Sequence, residues 1–307
     1  MKKTGITSLC LALLMSAMLI PAACTGQPDE NGTGGTDQPT EQQVTVTHTR
    51  NVLLEGTSWE TAVHTYVTDK QGPKIAIVGG IHGDELAGWT TALELVGDFN
   101  EDLPGICGEI LLIPQANILA DTLEDRYPGR KGAVSGVGTV DGVKYSDLNR
   151  SFPNGRASNA TEATITISDA IRAAVESFDP DYIIDLHESR HSWTEQDTTS
   201  TSLGDTLIFK NEALFMDDLL YYYNQVYLEE GETQFTSNPA STKGSFNYYF
   251  SNLYPDKVVF TIETNRGYVS GQNTIALSVR VRQQHNILNA LFDIVWDRVD
   301  TTPILGY

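Results

Sequence analysis

Short apolar runs of four or five residues alternate along this chain with longer stretches whose apolar positions recur every three or four residues. The runs at 74–78, 109–113, 182–186, 206–209 and 258–262 are rich in β-branched and aliphatic residues, are bounded by turn formers, and predict strands. Stretches at 85–96, 161–178, 212–229 and 274–299 predict amphipathic helices, the last with one continuous apolar stripe. Strands alternating with helices define an α/β protein. Near-continuous apolar strands also need cover on both sides. The expected fold is therefore a single α/β domain, with a mixed, mostly parallel sheet and helices on both faces. Residues 117–152 are glycine-rich with weak periodicity, and a connection of that length in a compact domain is either functional or disordered.

The N-terminus departs from this pattern. Lys2 and Lys3 precede an apolar run from Ile6 to Ile20 and the small residues Ala22 and Ala23, the order of a secretory signal peptide at 1–23. The run is shorter than the roughly 20 residues that cross a bilayer. Ala22-Ala23-Cys24 is similar to a bacterial lipoprotein cleavage box, although Pro21 stands where an aliphatic residue is usual. Residues 24–43 are Gly, Thr, Gln, Pro, Asp and Glu with almost nothing to bury, the composition of a flexible tether. The expectation is an exported protein, periplasmic or at the cell surface, lipid-anchored through Cys24, with one folded domain over 44–307. Plain cleavage and release is the alternative.

Charge narrows the partners. Forty acidic against 20 basic residues give a net charge of -20, so nucleic acid is not expected as a partner. An anionic small molecule is still possible, since a few arginines can make one cleft positive. Of three cysteines only Cys107 lies in the body of the chain; it reads as a structural thiol, with no internal disulfide framework.

Four polar segments carry the candidate chemistry, and three sit where an apolar strand stops, the edge that borders the ligand crevice in open α/β sheets. After 74–78 comes Gly79-Gly80-Ile81-His82-Gly83-Asp84-Glu85, in which the glycines permit a tight turn and the His-x-x-Glu spacing lets His82 and Glu85 converge on one cation. Alone, this is also the pattern of a surface histidine beside a helix N-terminal acid. Asp185-Leu186-His187-Glu188 ends the third strand and offers a third ligand, His187, with Asp185 or Glu188 able to orient a ligand histidine. Two histidines and a glutamate with water in the fourth place are a catalytic zinc set, so one Zn2+ ion is expected. Asp147-Leu148-Asn149-Arg150-Ser151-Phe152-Pro153 is either a turn or a donor fork, Asn149 with Arg150, that grips a substrate carboxylate. Phe260-Thr261-Ile262-Glu263-Thr264-Asn265-Arg266 brings Glu263 to the same edge, as a general base or as an acid paired with Arg266.

Together and in this order the four segments resemble the zinc carboxypeptidase clan, within it the succinylglutamate desuccinylase and aspartoacylase branch, over most of 44–299. The resemblance implies a zinc carboxypeptidase-like fold, metal ligands at His82, Glu85 and His187, and a catalytic base at Glu263. It also implies an arginine that stabilises an oxyanion, Arg126 with Arg130 as its rival. The clan uses a tyrosine upstream of the base, for which Tyr248 and Tyr249 are the available residues. The implied activity is hydrolysis of an amide bond in an N-acyl amino acid, a small substrate bearing a free carboxylate. The alternatives are a metallocarboxypeptidase acting on peptides such as cell-wall peptides and, from another class, a non-catalytic ligand-binding lipoprotein. Arg190, His191 and Arg266 are extra cations that either select an acidic substrate or pair with surface acids.

Overall fold

The computed structural model describes residues 44–100, 106–192 and 203–296. The leader, the tether with Cys24 and the end of the last predicted helix lie outside them. In chain order come β1 (Val46–Leu53), β2 (Thr61–Thr68), β3 (Lys74–Val78), α1 (Leu86–Asp98), β4 (Glu109–Ile113) and α2 (Ile118–Leu123). A small hairpin of β5 (Gly138–Val140) and β6 (Val143–Tyr145) precedes α3 (Glu162–Phe178) and β7 (Tyr182–Ser189). There follow β8 (Thr206–Phe209), α4 (Ala213–Tyr222), β9 (Thr236–Pro239), α5 (Phe246–Leu253), β10 (Val258–Asn265) and, after a short hairpin, α6 (Leu277–Val295).

One eight-stranded sheet runs in the order β1-β2-β4-β3-β7-β10-β8-β9. Its central strands β4, β3, β7 and β10 are parallel, while β2 joins β4 and β8 joins β10 antiparallel. Successive side chains of a strand point to opposite faces. Ile75, Ile77, Ile184, Leu186, Phe260 and Ile262 accordingly pack under α1, α4 and α6, whereas Ala76, Val78, Ile183 and Val259 pack under α3 and α5. Both faces are dry, as the unbroken apolar runs required, and the expected α/β architecture is present.

The same alternation carries function past the end of each apolar run. β7 and β10 each extend three residues beyond the predicted strand, because His187-Glu188-Ser189 and Glu263-Thr264-Asn265 remain paired with one another in parallel register. Residues 185 and 187 on β7, and 261 and 263 on β10, continue the α3/α5 side. Glu188 and Thr264 fall on the other side, where α6 meets them.

Other differences have local causes. The helix predicted over 212–229 gives way after Tyr222 to a π turn at Tyr223–Tyr227, where the Asn224 side chain pairs with the backbone N–H and C=O of Phe235. Residues 117–152 are ordered around α2, the β5/β6 hairpin and two 3-10 turns. β1 escaped prediction because most of its side chains are exposed and it has no continuous apolar run. Cys107, expected as a structural thiol, is buried and disulfide-bonded; Cys10 and Cys24 lie outside the described residues. Among those residues no helix is long and apolar enough to cross a membrane.

Candidate active site

β3 ends at Val78 and the chain turns sharply through Gly79-Gly80. Gly80 has φ +74°, and a Cβ on Gly83 would lie 2.0 Å from the carbonyl oxygen of Ala120, so this loop must be glycine to lie against α2. The turn delivers His82 and Glu85 into a buried position, with His82 Nδ1 2.9 Å from Glu85 Oε1. From β7, His187 brings its own Nδ1 to 2.6 Å from Glu85 Oε2. One ligand atom from each of His82, Glu85 and His187 lies within 4.8 Å of the others.

Each imidazole is held from behind by a carboxylate. His187 Nε2 donates to Asp185 Oδ2 at 2.9 Å, two residues earlier on the same face of β7. His82 Nε2 donates to Asp147 Oδ1 at 3.0 Å. Protons held on the two Nε2 atoms leave both Nδ1 lone pairs to converge beside Glu85, the arrangement seen where carboxylates orient metal-ligating histidines. Three buried donors of nitrogen and carboxylate type therefore fit one divalent cation such as zinc.

The shifts are those of the site without a cation, where a proton on His187 holds the place beside Glu85 that a metal would take. Burial alone would raise the Glu85 carboxyl, but the two imidazoles outweigh it and hold it well below the usual range. Burial likewise opposes charge on His187, yet Asp185 and Glu85 push its pKa well above the usual value. The site thus gathers positive charge around Glu85. Glu263 stands directly opposite His187 in the β10/β7 register. Its carboxyl is pushed up to about 7, first by burial and then by Glu85, against the pull of both histidines and Arg126.

Arg126 reaches the cluster from the long loop, donating through Nε to Asp147 Oδ2 and through Nη1 to Glu85 Oε1, both at 3.0 Å. Arg130 instead contacts Asp84 Oδ2 at 3.4 Å and does not line the cleft. Asn149 and Arg150 do line it. The Asn149 Oδ1 accepts the Phe246 N–H at 2.8 Å, tying the loop to the start of α5, and Arg150 Nη1 donates to the carbonyl of Asn149 at 2.6 Å.

The cleft above these groups has a volume of about 310 Å³. Arg126, Arg150, Arg190 and Arg266 all line it, so a chain of net charge -20 presents four guanidinium groups at this one place. Arg266 does not pair with Glu263; its Nη1 donates to the carbonyl of Asp84 at 2.6 Å. Arg190 lies over the ring of Tyr268 at 5.2 Å. No tyrosine lines the cleft among the described residues: the Tyr249 hydroxyl donates to Glu176 of α3 at 2.5 Å, and Tyr248 is likewise absent from the lining.

Sequence reasoning missed one assignment and left another open. Asp147 begins a segment that the sequence offers as a turn or a donor fork, and it does accept the Asn149 N–H at 2.9 Å, but the same carboxylate also holds His82 and Arg126. Between Asp185 and Glu188, the two acids flanking His187, Asp185 is the one that touches it. Period-2 alternation was the available signal, since 185 shares a face with 187 and 188 does not.

Two histidines and a glutamate delivered from the ends of β3 and β7, with a carboxylate from β10, stand on a mixed, mostly parallel sheet between helical layers, an α/β protein with a carboxypeptidase-like fold and a cluster able to hold a metal. Residues 71–289 match the succinylglutamate desuccinylase/aspartoacylase catalytic domain, and the chain belongs to that family. No curated protein sequence matches it. Among solved structures, the tripeptide-bound cell shape determinant Csd4 of Helicobacter pylori superposes with a TM-score of 0.55 at 14% identity, over 76% of this chain and 55% of that one. The mDAP-bound form of Csd4, a D,L-carboxypeptidase, gives 0.53 at 16% identity, over 73% and 51%. An aspartoacylase family protein from Mesorhizobium loti gives 0.51 at 21%, over 80% and 67%. The chain spans about half the length of the Csd4 structures.

Proposed function

We propose that this chain is a zinc-dependent hydrolase that cleaves the amide bond of an N-acyl amino acid or small peptide carrying a free carboxylate. The observation that carries the reading is the convergence of His82, Glu85 and His187 within 4.8 Å, with Glu263 in register opposite His187. Zinc held by these three ligands would supply Lewis acidity at its open position.

The remaining steps belong to the protein. Glu263 takes a proton from the attacking water and returns it to the departing nitrogen, a relay suited to a carboxyl poised near 7. Arg126, fixed by Asp147, faces the negative charge that develops on the carbonyl oxygen. Asn149 and Arg150 hold the free carboxylate so that the scissile carbon sits over Glu263.

A second reading within the same chemistry is a carboxypeptidase acting on peptides, supported by the fold shared with Csd4. The leader and tether support export and a lipid anchor at Cys24. Purified chain should bind one zinc per molecule and hydrolyse members of a panel of N-acyl amino acids and free-ended peptides; the preferred half of the panel separates the readings. Zinc binding without hydrolysis of any member would favour the ligand-binding lipoprotein, and failure to bind zinc would sink the proposal.

A further inference from the structure

Glu85 occupies the N-cap position of α1, where a carboxylate ordinarily accepts a first-turn backbone N–H, yet its side chain makes no capping bond. Its oxygens are taken by His82, His187 and Arg126. The N–H of Ala87, in the first turn of α1, is satisfied from elsewhere: Glu188 of β7 accepts it through Oε2 at 3.0 Å. Glu188 Oε1 is bound by Arg280 of α6, and both residues are buried. The backbone N–H of Glu188 donates to Glu85 Oε2 at 3.1 Å. Four residues later on α6, Gln284 donates to the carbonyl of His187 at 2.9 Å, so the same helix braces the ligand strand twice.

These contacts are linked. Were Ala87 left without an acceptor, its buried N–H and the positive end of α1 would compete for the carboxylate of Glu85 at the N-cap. A carboxylate turned inward to cap its own helix cannot also face a cation between two imidazoles. We propose that Glu188, held by Arg280, is a positioning residue that caps α1 in place of Glu85 and so keeps the Glu85 carboxylate directed at the metal. The inference rests on the zinc reading above, and Glu188 itself takes no part in bond making.

The test compares two variants of the full chain that both remove the buried charges, so neither strands an ion. E188Q/R280M retains an oxygen acceptor for Ala87, and E188L/R280M does not. Zinc affinity by chelator competition should stay within threefold of the wild type for the first and fall about 10- to 100-fold for the second, the usual effect of losing an outer-shell partner. In metal-free protein, amide exchange at Ala87 should be faster in E188L/R280M than in E188Q/R280M. Equal zinc affinity of the two folded variants overturns the capping role. Failure of both to fold also overturns it, by showing that the pair serves folding and not Glu85. A wild-type chain that binds no zinc overturns the hydrolase reading instead, while the exchange comparison still reports on the cap.

Discussion

Glu263 on β10 and His187 on β7 are direct partners in a parallel strand pair, so the carboxylate and the imidazole project from the same face of the sheet. Strand pairing holds that relationship. It requires no loop ordering, and it places the proposed base beside the proposed ligand before any substrate arrives. The adjoining residues Thr261 and Asp185 repeat the pattern one step deeper, and Asp185 uses it to hold the ring of His187.

Replacing Glu263 by Gln keeps the shape and the strand pair but removes the proton acceptor. Zinc content should be unchanged and turnover should fall by about two to four orders of magnitude. Metal analysis alongside steady-state kinetics checks this, and a variant retaining wild-type kcat would remove Glu263 from the mechanism.

Arg126 and Arg130 separate by geometry. Arg126 touches Glu85 and Asp147, whereas Arg130 touches Asp84. R126M should lower kcat by about 10²- to 10³-fold, as expected for removing an oxyanion donor. R130M should leave kcat within a few fold, and the reverse ranking would exchange their roles.

Asp185 stands outside the candidate ligand set of His82, Glu85 and His187 and accepts from His187 Nε2, a bond that favours one tautomer of that ring. D185N should weaken zinc binding by about 10- to 100-fold while KM for substrate, measured at saturating zinc, changes little. An affinity equal to that of the wild type would mean that His187 needs no such support.

Asp205 provides a pH test away from the metal. Its carboxyl is pushed up to about 6, chiefly by burial, with the Asn265 N–H opposing at 2.8 Å and Glu232 adding to the rise. A raised carboxyl stabilises the fold fully below its unfolded value near 4, and that contribution is lost as pH climbs through 6. Relative to D205N, which keeps an oxygen for Asn265, the wild type should lose about 2 kcal/mol of stability between pH 4 and pH 8. Urea unfolding at the two pH values measures the difference; a gap that does not change with pH would show that Asp205 stays charged throughout.

Much of this was legible along the chain. Apolar runs located β3, β4, β7, β8 and β10, because a strand buried on both faces must be apolar throughout. The polar residues just beyond three of those runs named His82, Glu85, His187 and Glu263, because a charged group at the end of a buried strand needs a reason to be there. Local sequence also carried the start of α3, where Thr161 and Thr164 cap each other.

Only the tertiary structure decided the partnerships. That Asp147 stands behind His82, that Arg126 and not Arg130 reaches Glu85, and that Glu188 serves α1 while Asp185 serves His187 all depend on groups far apart in sequence meeting in space. Periodicity states which face of its own element a side chain occupies. What lies across from that face is set by strand order, by the path of residues 117–152 and by the seating of α6, and these follow from packing the whole domain rather than from any local stretch of it.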